Sequence, residues 1–157
     1  MKRAEYKGME PHPSPPVIAI LNGTAEILET LEEYLRTEGF TTITAIVTEF
    51  KKGKEDFVQF IEDHNPTIIL YDIPPPYDRN LTFLRLLTDT HSMDERCVII
   101  TTTNKVQLEK ITGEKNALEI VGKPYDMDIL IQTLREKLEH CENVNYQWPP
   151  HNKRKTA

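Results

Sequence analysis

Two apolar runs of this chain end in side chains suited to work on a phosphoryl group. Thr67-Ile-Ile-Leu-Tyr-Asp72 closes on a carboxylate, and Leu118-Glu-Ile-Val-Gly-Lys-Pro124 closes on an ammonium. If both runs are parallel strands of one sheet, Asp72 and Lys123 emerge at the same edge, where open α/β sheets hold their sites. A carboxylate there can attack phosphorus while cations neutralise the equatorial oxygens. Lys123 would supply one such charge as a point donor. An earlier apolar run, Val17–Leu21, ends in Asn22-Gly23 and brings no acid to hold a divalent cation. Each residue also has a plainer reading: Asp72 as a cap for the next loop or helix, Lys123 as a solvent-facing lysine.

The elements that must position these groups follow from the hydrophobic pattern. Residues 1–16 hold Pro11, Pro13, Pro15 and Pro16 without apolar periodicity, so they are expected to form an extended or disordered leader. Val17–Leu21 suits a strand buried on both faces. Thr24 is expected to cap a helix whose inner face uses Ile27, Leu28, Leu31, Tyr34 and Leu35, with Gly39 just past its end. Phe40–Val47, rich in threonine and β-branched residues, reads as a second strand. Phe57, Phe60 and Ile61 mark the next helix, which Asn65-Pro66 stops.

Thr67–Tyr71 is the third expected strand, followed by a Pro74-Pro75-Pro76 turn and a helix on Leu81, Leu84 and Leu87. Cys97–Thr101 is the fourth strand, and Val106, Leu108 and Ile111 suggest a short helix after it. Leu118–Val121 is the fifth strand. Asp126 is expected to cap a last helix resting on Leu130, Ile131, Leu134 and Leu138. Five β-α repeats with short connections call for an α/β three-layer sandwich around a parallel sheet. The domain is drawn at residues 17–141, with 142–157 as a tail in which Trp148 could pack back on the body.

The 157 residues suffice for one domain with its own core, and no stretch approaches the length of an apolar membrane span. The start lacks the apolar centre of a secretion signal, so the cytoplasm is the expected location. Cys97 and Cys141 are accordingly expected as reduced thiols. The net charge is −6; residues 1–16 carry three basic and two acidic groups, and 142–157 three basic and one acidic, which leaves −9 on the body. That balance argues against nucleic acid as a partner, and Lys153-Arg-Lys155 reads as a solubilising tail.

Over roughly 17–140 the chain resembles the receiver domain of two-component response regulators. The resemblance rests on Val-Ile-Ala-Ile-Leu21, on Glu26-Ile-Leu-Glu-Thr-Leu-Glu-Glu-Tyr-Leu-Arg-Thr-Glu-Gly-Phe40, and on Ile-Ile-Leu-Tyr-Asp72 with Pro76 four residues on. It rests further on Val-Ile-Ile-Thr-Thr102 and on Lys123-Pro-Tyr-Asp-Met-Asp-Ile-Leu130. It implies a flavodoxin-like, five-stranded parallel sheet of order 2-1-3-4-5 with its site at the strand C-termini. Asp72 would then accept a phosphoryl group from a histidine kinase or a phosphotransfer protein, with Lys123 beside it. The hydroxyl that senses the group would be Thr101 or Thr102: spacing from Lys123 favours the first, spacing from Asp72 the second. Only one of the two can face the site, because successive strand residues point to opposite faces.

Departures from the family pattern set the expectation for chemistry. The two acidic residues usual after the first strand match Asn22 and Gly23 here. A Mg²⁺ site would have to use Asp72, Asn22 and the carbonyl of Pro74, a poor set for an ion that seeks charged oxygens. Glu26 and Asp78 stand near in sequence as substitutes. Ile120 replaces a common aromatic, and a β-branched side chain has few rotamers for switching. Three prolines also stiffen the loop after Asp72. The expectation is an atypical, non-enzymatic receiver-like domain that docks proteins through its fourth and fifth expected helices and fifth strand, as a pseudo-receiver or a homodimer. Conventional phosphorylation at Asp72 is the alternative. A small nucleotide- or flavin-binding protein is a third reading, weakened because Leu21-Asn-Gly-Thr24 has one glycine rather than a Gly-rich cradle.

Overall fold

A computed structural model describes residues 15–112, 118–119 and 124–143. Four strands carry a parallel sheet: β1 (Val17–Asn22), β2 (Thr41–Ile46), β3 (Ile68–Asp72) and β4 (Cys97–Thr102). Two residues of β5 (Leu118–Glu119) pair with the end of β4, at Thr101 and Thr102. The order across the sheet is β2-β1-β3-β4-β5. Of the fifth strand expected over Leu118–Val121, Ile120 and Val121 lie outside the described residues.

Six helices flank the strands among the described residues: α1 (Ala25–Thr37), α2 (Val47–Lys51), α3 (Phe57–His64), α4 (Tyr77–Thr88), α5 (Lys105–Thr112) and α6 (Pro124–Asn143). Alternation along each strand sorts its side chains into two cores. Ile18, Ile20, Ile68, Leu70 and Ile99 pack with Leu28, Leu31 and Leu35 of α1 and with Leu130, Ile131 and Leu134 of α6. Ala19, Leu21, Ile69, Tyr71, Val98 and Ile100 pack on the other side, under α3, α4 and α5. Because both faces are covered, the strands read as unbroken apolar runs.

Several local expectations need correction. The second strand ends at Ile46, and Val47–Lys51 turn into α2. That turn brings Phe50 edge-on to Phe57 and Phe60, with ring centroids 5.3 and 5.5 Å away. Thr24 is the N-cap residue of α1 but makes no side-chain capping bond. Instead Asn22 Oδ1 accepts from the Gly23 and Thr24 amides at 2.7 and 3.3 Å. Asp126 does not precede the last helix; α6 starts at Pro124, a residue suited to a first helical position because its missing N–H has no partner there. Asp126 sits buried in the first turn, where its charge meets the positive helix end.

Ile27, Val106 and Ile111 are not inner-face residues; they are 45, 69 and 51% exposed, and Leu108 anchors α5 in the core. Cys97 is disulfide-bonded rather than a reduced thiol, and it is fully buried at the start of β4. The Pro75–Pro76 peptide bond is cis. No helix among the described residues is long and apolar enough to cross a membrane.

Candidate functional site

The C-terminal edge of the sheet gathers the residues singled out in the sequence. Leu21 pairs with Tyr71 across β1 and β3, so Asn22 and Asp72 are the next residues on neighbouring strands. Asp72 in turn pairs with Thr101 across β3 and β4. Asn22 shares the face of Ile18 and Ile20, Asp72 that of Ile68 and Leu70, and Thr101 that of Ile99, all on the α1–α6 side. Thr102 belongs with Val98 and Ile100 on the opposite side. The period of two thus separates the two threonines, and it brings Thr101 to the carboxylate. Thr101 Oγ1 donates to Asp72 Oδ1 at 2.7 Å. Thr102, fully buried, instead accepts the Asn104 amide at 3.4 Å.

The Asp72 carboxyl is held above the ordinary carboxylate range, chiefly because burial disfavours its charge. The Thr101 hydroxyl acts in the opposite direction by donating to the ionised form. Next to it, the buried Tyr71 phenol is pushed well above its usual value, first by burial and then by the Asp72 charge. Lys123 and Ile120 lie outside the described residues.

Magnesium prefers about six oxygens, some of them anionic, in near-octahedral geometry. Among the residues proposed to hold it, Asn22 Oδ1 is turned back on the Gly23 and Thr24 amides. The Pro74 carbonyl accepts Asn80 Nδ2 at 2.7 Å. Asp72 Oδ1 accepts the Thr101 hydroxyl. Asp78 Oδ1 accepts its neighbour Arg79's amide at 2.7 Å. Among the described residues, no group of three or more His, Cys, Asp or Glu side chains could hold a metal. As they stand, these residues do not fit a divalent-cation shell.

Two residues at this edge escaped the sequence reading. Lys51 Nζ donates to Asn80 Oδ1 at 2.6 Å and lies 5.3 Å from the Phe83 ring centroid. Asn80 therefore links an ammonium on α2 to the carbonyl after Asp72. A signal for Asn80 was present, because three successive prolines offer carbonyls and no amide donors. A side-chain donor from the following turn was needed. Nothing in the sequence pointed to Lys51.

The order and parallel pairing of the strands, with Asp72 and Thr101 facing each other at the C-terminal edge, can be set beside known structures. The chain has the fold of a receiver domain. It is similar to a signal receiver domain from Vibrio parahaemolyticus, with 21% identity over 82% of this chain and 93% of that one and a TM-score of 0.57. A CheY-like response regulator receiver domain protein from Methanospirillum hungatei JF-1 shares 19% identity over 83% of this chain and 98% of that one, at a TM-score of 0.56. NtrX from Brucella abortus shares 19% identity over 82% of this chain and 28% of its own length, at a TM-score of 0.58. At these identities the likeness is one of fold. No protein-family model matches the chain. In receiver-fold terms, Asp72 stands at the end of the third strand and Thr101 faces it from the fourth.

Proposed function

We propose that this chain is an atypical receiver domain that signals by docking other proteins, with phosphorylation at Asp72 weak or absent. The observation that carries this reading is the hydrogen bond from Asn80 to the Pro74 carbonyl. It ties the loop after Asp72 to protein groups, at a carbonyl that a bound cation would need. The neutral Asn22-Gly23 pair, with its oxygen turned to local amides, supports the same reading. Asp72 then serves as a half-buried acceptor for Thr101, and Lys123 as a charge that steadies it.

The docking surface is expected on α5 and the neighbouring β5 and α6 edge. There Val106 and Ile111 leave apolar side chains in solvent, where a partner protein or a second copy of the chain would cover them. A histidine kinase or phosphotransfer protein remains the partner for the conventional reading, which the position of Asp72 at the C-terminal end of β3 favours.

Incubation with phosphoramidate and Mg²⁺, followed by intact-mass measurement, tests the chemistry. The expected result is little or no phosphoryl adduct, with partner binding unchanged in Asp72→Asn and weakened in Val106→Glu. Stoichiometric addition of one phosphoryl group, abolished by Asp72→Asn, would establish the conventional phosphoacceptor instead.

A further inference from the structure

The face formed by α1 and α6 carries a groove that the chemistry at Asp72 does not use. Two recesses of about 360 and 420 Å³ share Glu38, Arg135 and Glu139 and so run together. Ile131 lines the first, and Phe40, Leu138 and Pro16 line the second, which gives the groove an apolar floor. Its rim is acidic, with Asp128, Glu136 and Glu139. Among the described lining residues the one basic group, Arg135, is already engaged: it pairs with Glu38 at 3.3 Å and lies over the Phe40 ring at 5.3 Å.

We infer that this groove is the docking site of the chain's own residues 144–157. That segment has three basic groups, Lys153, Arg154 and Lys155, and no acidic ones, and it includes Tyr146 and Trp148. Its charge complements the rim, and its aromatics suit the floor. Reach also favours it. Glu139 lies one turn, about 6 Å, before the end of α6 at Asn143. Five residues from Asn143 to Trp148 span up to roughly 17 Å, enough to return the indole to Leu138 and Phe40. Ten residues to Lys153 span up to roughly 34 Å. Asp128, about 22 Å back along the helix, is therefore within range. The basic triplet pairs with the acidic rim, and Trp148 covers the apolar floor. The proposal is independent of what happens at Asp72.

Trp148 is the only tryptophan in the chain, so the intrinsic fluorescence of the full chain reads its surroundings directly. The expected emission is that of a shielded indole. It shifts to the red when Glu136→Lys and Glu139→Lys are introduced together, and also when Lys153, Arg154 and Lys155 are all changed to Glu. Combining the two charge reversals restores the shielded emission, which separates pairing from damage to the fold. High salt weakens the effect, since these exposed charges are screened. A water-exposed emission in the unmodified chain overturns the proposal, as does a shielded emission that ignores both reversals. A red shift on simple dilution also overturns it, because the groove would then be filled by a second copy.

Discussion

Removing the Thr101 hydroxyl is the sharpest probe of the candidate site. Thr101→Val keeps the β-branched shape in a buried position but takes away the 2.7 Å hydrogen bond to Asp72. A hydrogen bond to a charged group contributes about 1.5–3 kcal/mol, and a neutral one about 0.5–1.5 kcal/mol. With Asp72 ionised, Thr101→Val should therefore cost about 1.5–3 kcal/mol, since the carboxylate stays desolvated and loses its donor. At roughly 2–4 °C per kcal/mol for a chain of this size, the midpoint should fall by about 3–12 °C. In an Asp72→Asn background the same change removes a neutral bond, so the cost should drop to about 0.5–1.5 kcal/mol.

The pH dependence has a definite sign. Burial raises the folded carboxyl of Asp72 above its unfolded value, so the folded state takes up the proton first as pH falls. Asp72 therefore destabilises the fold while it is charged, and the penalty is relieved as pH falls through its raised pKa. Thr101→Val raises that pKa further, because the hydroxyl was holding it down. The cost of the substitution should accordingly shrink on acidification through the same range. Denaturant unfolding of the parent, the two single variants and the double variant at neutral and acidic pH measures the energies, and carboxyl NMR of Asp72 follows the titration. A cost below about 0.5 kcal/mol at neutral pH, or an Asp72 titration unmoved by the substitution, would refute the reasoning.

Two further predictions address cation binding and the Lys51–Asn80–Pro74 contacts. Asn22→Asp with Gly23→Asp should create Mn²⁺ binding that the parent lacks, read by paramagnetic broadening of signals around Asp72. The substitution is sterically open, since a Cβ at Gly23 meets nothing within 4 Å, and the carboxylate introduced in place of Asn22 would still accept the local amides. No broadening in the variant would mean that the acidic pair is not what the site lacks. Asn80→Ala should cost about 1 kcal/mol and speed hydrogen exchange over residues 73–80, leaving the amides of β1 unchanged. Unchanged exchange over that loop would dismiss the Lys51–Asn80–Pro74 clamp.

The strands and most helices were legible because burial on both faces writes itself as continuous apolar runs, such as Ile68–Tyr71 and Cys97–Ile100. The helices of the α1–α6 face were legible from Leu28, Leu31 and Leu35 and from Leu130, Ile131 and Leu134. Short elements were less readable. Val47–Lys51 has strand-forming residues at its start, and only the distant Phe57 and Phe60 decide that it turns into a helix. The spacing of Val106, Leu108 and Ile111 marked a helix without telling which side chains face inward. At the candidate site, spacing left Thr101 and Thr102 open. Strand register decided between them, since pairing with Asp72 fixes which hydroxyl shares its face. Lys51 was beyond reach for a related reason: its contact with Asn80 spans 29 positions and two helices.

The polar contacts at this edge form one consistent arrangement. A cation in such a place would hold the loop after the third strand and offset the charge of the carboxylate beside it. Here both tasks fall to side chains. Asn80 holds the Pro74 carbonyl, with Lys51 behind it, and Thr101 supplies the donor that Asp72 needs. Asn22 uses its oxygen to shape the turn into α1. An edge arranged by internal donors needs no ligand to set its geometry, which suits a surface that partners meet in a fixed form. It also makes phosphorylation compete with existing bonds, because a phosphoryl group on Asp72 would have to take Thr101 from the carboxylate oxygen it already serves. Thr101→Val measures the bond that would have to be given up, and Asn80→Ala the contact that holds the loop. If that bond is what opposes phosphorylation, both substitutions will weaken the fold and its loop, and Thr101→Val will raise the small phosphoryl uptake at Asp72 while Asn80→Ala leaves it unchanged.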